Sequence, residues 1–146
     1  RRQLLEFRMG LESEAAAAAA LTANPGTLPA LDAALEAFRK AGTNASRSMS
    51  CDFDFHSAVA SASGNPYFLD AVRHLGPAMI AMPRQRLDSQ DSVLLPRLEQ
   101  VAGEHLSIRN AIASGNAMSA AAAMRVHLAN SLLRLGVEAG VVPPTP

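Results

Sequence analysis

The sequence has no tryptophan, a single tyrosine and a single cysteine. One thiol, Cys51, cannot form an internal disulfide, and its ordinary role is that of a small buried hydrophobe in a reducing cytoplasm. Neither sign of charge is in excess: 13 basic and 13 acidic side chains leave a formal charge of zero. Without a basic stripe, this segment is not expected to grip nucleic acid by itself. Long hydrophobic runs are also missing. The longest wholly apolar one, Ala15 to Leu21, falls far short of the about 20 residues that cross a bilayer. The chain opens on Arg1-Arg2-Gln3 with no signal-peptide pattern, so the expectation is a soluble, cytoplasmic protein with no membrane partner.

Strand-favouring runs of β-branched and aromatic residues are absent too, while alanine is abundant. The fold class is therefore read as all-α, an antiparallel bundle of about six helices. With 146 residues and no break in composition, residues 1–146 read as one domain, long enough to bury a core. Helical periodicity starts at once with Leu4, Leu5, Phe7 and Leu11, so a further segment is expected upstream of Arg1.

Breakers divide the chain. The first helix should run to about Ala23, before Asn24-Pro25-Gly26, with Leu4, Leu5, Arg8, Leu11 and Ala15 facing inward. The second begins near Thr27 or Leu28 and ends near Gly42; the third covers about Ser46 to Ser63. The fourth opens with Asn65 as N-cap and Pro66 at the first helical position, and bends at Pro77 or stops by Pro83. Arg84 and Arg86 then precede a polar linker, Asp88 to Ser92. Such arginines are usually solvated, and a second carboxylate clamp is the bolder reading. The fifth helix should run from around Pro96 to Ala113, and the sixth from about Asn116 to Glu138. Residues 141–146 read as a frayed, proline-rich tail.

Two punctuations set the depth of the chemistry. His105 lies ten residues before Gly115 and His127 twelve after it. In an antiparallel hairpin, a rise of about 1.5 Å per residue brings both imidazoles to the same height, roughly 15 to 18 Å from the turn. Asp52 and His56 lie twelve and eight residues before Gly64, and their i, i+4 spacing puts both on one helix face. Asp52, His56, His105 and His127 are thus expected to meet across one layer of the bundle, next to a central cavity. Three imidazoles and a carboxylate suit a divalent transition metal, zinc first, with nickel, cobalt, iron and manganese also fitting. Magnesium and calcium suit so much nitrogen poorly.

One Asp⁻ around a divalent ion leaves a net positive charge in the cavity, which draws a small carboxylate. Arg8, on the inward stripe, is the candidate to clamp it bidentately. Its plain structural role is a salt bridge to Glu12, one turn on, and the two roles are compatible. His74 has no partner at ligand spacing and reads as a surface or packing histidine. Met124, His127, Ser131 and Arg134 form a polar line that would face a lined cavity, beside the apolar line Leu128, Leu132, Leu135.

Five stretches, in order, carry a family likeness: Leu4-Leu5-Glu6-Phe7-Arg8 with Leu11-Glu12 and the alanine run; Asp52-x-x-Phe55-His56; Ser63-Gly64-Asn65-Pro66-Tyr67; Glu104-His105 with Ala111-Ile112; and Met124-x-x-His127-Leu128. Together they resemble the FCD effector domain of FadR-type GntR transcription regulators over nearly the whole chain. The resemblance implies a helical bundle binding a divalent metal through Asp52, His56, His105 and His127. It also implies a small organic acid held by the metal and by Arg8. Acid binding would then change the posture of a homodimer, and with it the DNA affinity of winged-helix domains that this sequence does not contain. Asn116 stands where the family commonly has Asp, and as an N-cap it serves nearly as well.

Two other classes compete. A metalloenzyme would activate water, but no extra general base is placed for it, since Asp54, two residues from Asp52, points away on a helix. A purely structural dimerisation bundle would use its histidines for core hydrogen bonds. The reading carried forward is a sensor, not an enzyme.

Overall fold

The side chains that end and begin each helix are mostly local. Asn44 Oδ1 accepts the N–H of Arg47 (3.1 Å), Asn65 Oδ1 that of Tyr67 (3.1 Å) and Asn116 Oδ1 that of Ser119 (3.0 Å). Each satisfies a backbone donor that the first helical turn leaves without a partner. Gly64 and Gly115 lie at φ of 73° and 70°, where only glycine turns the chain without strain. In this computed structural model, which describes residues 2–22, 24–80 and 91–138, the result is α1 (Arg2–Leu21), α2 (Thr27–Ala41), α3 (Ala45–Ala62), α4 (Pro66–Ile80), α5 (Asp91–Ala113) and α6 (Ala117–Glu138). No strand occurs among the described residues. Arg84, Arg86, most of the 88–92 linker and the 141–146 tail lie outside them, as does Ala23.

α1 runs along α6 and also touches α3 and α5; α2 covers α3 and α5, and α4 packs mainly on α3. The alanine run explains the first pairing. Ala15, Ala16 and Ala19 are fully buried, as are Ala120 and Met124 of α6, and small side chains let the helices approach closely. Leu31, Phe55, Val59, Ile108, Ile112 and Leu128 complete one core. Each such large side chain contributes about 1.5–3 kcal/mol by leaving water. No helix is long and apolar enough to cross a membrane among the described residues.

Several local expectations shift. α5 begins at Asp91 and runs through Pro96 instead of starting there; a proline's fixed φ is helical, so it costs one hydrogen bond without ending the element. Pro77 likewise lies inside α4. α1 stops at Leu21, where Thr22 Oγ1 donates to the carbonyls of Ala18 (2.8 Å) and Ser63 (3.1 Å), tying the helix end to the α3–α4 turn. The buried stripe of α1 is Leu5, Arg8, Glu12, Ser13, Ala15, Ala16 and Ala19, while Leu4 and Leu11 are only half-buried. Cys51 is half-buried and not a sealed core residue. His74 and Asp54 are exposed, as their spacing suggests.

Candidate metal centre

α3, α5 and α6 deliver their polar residues to one level. Asp52 and His56 come from α3, His105 from α5 and His127 from α6, and one ligand-type atom from each lies within 4.8 Å of all the others. Nε2 of His56 faces Nε2 of His127 at 3.1 Å. Asp52 Oδ1 is 3.0 Å from Nε2 of His105 and 3.6 Å from Nε2 of His56. All three imidazoles are buried, while the Asp52 side chain keeps a third of its surface. Ligands about 2.0–2.2 Å from one ion stand up to about 4.4 Å apart, so the set is a few tenths of an ångström wider than a closed shell.

Two carboxylates stand behind the rings. Glu12 Oε1 takes Nδ1 of His56 at 2.5 Å, and its other oxygen takes Arg8 Nε at 2.6 Å. Glu104 Oε1 takes Nδ1 of His127 at 2.8 Å and Nη2 of Arg134 at 2.9 Å, and Oε2 accepts from Asn130 at 2.7 Å. These contacts place the ring proton on Nδ1 of each histidine and turn each Nε2 lone pair inward, the arrangement by which carboxylates orient metal-binding histidines. Two Nε2 atoms at 3.1 Å need a cation or a proton between them; without an ion His56, raised to about 9, carries that proton and donates it to His127.

The charges follow from that crowding. Burial alone would push His56 down, but Glu12 and Asp52 beside it raise it to about 9. Burial, with His56 and His105 adding to it, lowers His127 to about 4. Burial also lowers His105. Burial would raise Glu12 and Glu104, yet His56 and Arg8 hold the first at about 2, and His127, Arg134 and Asn130 hold the second at about 2. Asp52 sits well below its usual range against burial, through His56 and His105.

His105 supplies the test of fit. Its ring stacks on Phe55 (centroids 4.2 Å apart) and meets the edge of Phe38 (5.1 Å). Both of its nitrogens are buried and, among the described residues, neither has a hydrogen-bond partner, although Asp52 Oδ1 approaches Nε2 at 3.0 Å. A buried polar atom left in that state costs about 1–3 kcal/mol. A divalent ion would answer the orphaned nitrogen and take the place of the proton between the Nε2 atoms of His56 and His127, so the residues fit one.

A cavity of about 260 Å³ opens beside this layer, lined by Arg8, Asp52, His127, Ser131 and Arg134 among others. The polar line of α6 therefore faces it, except Met124, which joins the core. Arg8 pairs with Glu12 as its spacing suggests, and its Nη2 is buried with no hydrogen-bond partner among the described residues. Sequence reasoning gave Glu12 only the pairing with Arg8 and gave Glu104 no role. A carboxylate on a buried stripe was the available signal for the first; the second is marked only by standing next to His105.

Residues 3–130 match the FCD domain family. The chain is 30% identical over 129 residues to the HTH-type transcriptional regulator LutR of Bacillus subtilis, covering 88% of this chain and 59% of LutR. Its fold is similar to that of GntR from Streptococcus agalactiae, with a TM-score of 0.72 and 20% identity over 90% of this chain and 57% of that one. McbR/YncC of E. coli superposes with a TM-score of 0.72 and 15% identity, covering 93% of this chain and 67% of that one. The chain thus spans somewhat under three-fifths of the length of LutR and of the streptococcal GntR.

Proposed function

Because the chain belongs to the FCD domain family, as the effector-binding part of a GntR-type transcription regulator, we propose that it senses a small carboxylate with the help of a divalent transition metal. Asp52, His56, His105 and His127 would hold the ion, zinc first among the candidates, with nickel, cobalt, iron or manganese as alternatives. When bound, the ion would supply positive charge and open coordination positions to an anionic guest. Arg8 would take the guest's carboxylate through the Nη2 that has no hydrogen-bond partner among the described residues. The site binds and releases its guest unchanged, and the chain is no enzyme.

The whole regulator would be a cytoplasmic homodimer in which effector binding alters the grip of winged-helix domains on DNA. DNA contact belongs to that other domain, since a neutral helical bundle offers no basic stripe of its own. The observation that carries the reading is the convergence of three buried imidazoles and one carboxylate beside a cavity that Arg8 lines.

Elemental analysis of protein purified without chelator or a metal-affinity tag, followed by calorimetry with butanoate, tests it. One equivalent of metal per chain is expected, and butanoate binding that disappears on chelation and weakens at least tenfold in Arg8→Ala. Metal-free protein, or butanoate binding indifferent to both changes, would leave a structural bundle.

A further inference from the structure

The three imidazoles are not held alike. Nδ1 of His56 is fixed by Glu12 and Nδ1 of His127 by Glu104, and each carboxylate is anchored in turn by an arginine, Arg8 or Arg134. His105 lacks such backing: its Nδ1 is buried with no hydrogen-bond partner among the described residues. A ligating histidine whose far nitrogen is not held has no polar partner to fix its ring orientation. What surrounds His105 instead is aromatic. Phe55 of α3 lies nearly parallel to it, with centroids 4.2 Å apart and 18° between the planes, and Phe38 of α2 meets it at 5.1 Å and 66°. Both phenyl rings are buried. Packed at such different angles, they leave the imidazole one plane to occupy, the plane in which Nε2 comes within 3.0 Å of Asp52 Oδ1.

We infer that Phe38 and Phe55 are positioning residues for His105, an aromatic clamp in the place that a carboxylate takes behind His56 and His127; this rests on the metal reading given above. The clamp also favours the loaded state. A cation on Nε2 draws electron density out of the imidazole, and the negative face of a phenyl ring attracts a neighbour made more positive. Glu12, Asp52 and Glu104 already bring three carboxylates to the histidine layer. A neutral clamp orients the remaining ring without the desolvation cost of burying another charge.

Competition with a chromophoric chelator and the visible spectrum of the cobalt(II) form read the effect. Phe38→Leu and Phe55→Leu are each expected to weaken cobalt binding about three- to tenfold, the range of an aromatic pair. Each should also alter the cobalt spectrum at saturation, because the bond from His105 changes in length or direction. Phe38→Tyr keeps a ring beside His105 and should restore both readings. Should either leucine variant fail to fold by circular dichroism, methionine at that position removes the ring with less loss of volume and carries the same expectations. Cobalt affinity within about twofold of the parent's, or weaker binding with the parent's spectrum at saturation, would show that the rings only fill the core, and would overturn the clamp while the metal reading stood. Phe38→Tyr behaving as Phe38→Leu would overturn it as well. Parent protein that takes up no cobalt would overturn the metal reading and the clamp together.

Discussion

Glu12 Oε1 lies 2.5 Å from Nδ1 of His56, and both side chains are buried. That contact joins the first helix to the third across 44 residues of sequence and sets the direction of the His56 lone pair. Replacing Glu12 by Gln keeps its volume but removes the charge that makes the ring basic and fixes its tautomer. Partners of this kind affect metal affinity by about 10–100-fold when lost. Glu12→Gln is therefore expected to weaken metal binding by that factor in competition with a chromophoric chelator, at unchanged helicity by circular dichroism. Equal affinity in variant and parent would show that Glu12 only balances Arg8.

The depth of the four converging groups was legible because both turns carry a glycine at positive φ and helical rise is constant, so counting from Gly64 and Gly115 gives a height. Arg8 with Glu12 was legible because both lie on one helix. What lies across helices was not: nothing in the sequence pairs α1 with α3, so the second bond of Glu12 was invisible. Glu104 was hidden for the same reason, its partners His127, Asn130 and Arg134 all belonging to α6. The aromatic walls of His105 were hidden too, because Phe38 comes from α2 and only the tertiary fold brings it to the ring. Pro96 misled the reading of α5 because proline marks helix starts more often than it sits one turn inside them.

Removing the metal should cost stability, not only binding. An ion present at 100 times its dissociation constant stabilises the folded chain by about 2.7 kcal/mol. For a chain of this length each kcal/mol moves the melting temperature by about 2–4 °C, so chelation is expected to lower it by about 5–10 °C. Differential scanning calorimetry with and without chelator reads the shift, and His105→Ala should melt at one temperature in both.

In chelator-treated protein the stability should peak near neutral pH and fall on both sides. His56 is raised from 6.5 to about 9, so the folded state holds more protons than the unfolded above pH 6.5. Its contribution is complete below 6.5 and is lost as pH rises through 9. His127 is lowered from 6.5 to about 4, so the unfolded state holds more protons below 6.5 and stability falls as pH drops from 6.5 towards 4. Urea unfolding at about pH 5, 6.5 and 9 measures both slopes. His56→Gln should flatten the alkaline one, and an unaltered alkaline slope in that variant would move the titration to another group.

Gly76 makes room for a cavity wall. A Cβ built on it would lie 2.8 Å from Cζ and 2.9 Å from Cε2 of Phe53, closer than carbon atoms stand, and Phe53 lines the cavity. Gly76→Ala therefore forces the ring to move, and overpacking of this kind costs about 1–3 kcal/mol. Alanine just before Pro77 carries a smaller cost of its own, because a Cβ there crowds the proline ring. The two can be separated by a double-mutant cycle with Phe53→Leu, which withdraws the ring atoms concerned. If the ring is the obstacle, Gly76→Ala should destabilise the Phe53→Leu variant by at least about 1 kcal/mol less than it destabilises the parent, a coupling expected of side chains in direct contact. Equal costs in the two backgrounds, measured by urea unfolding, would assign the effect to Pro77 and release Phe53 as the reason for the glycine.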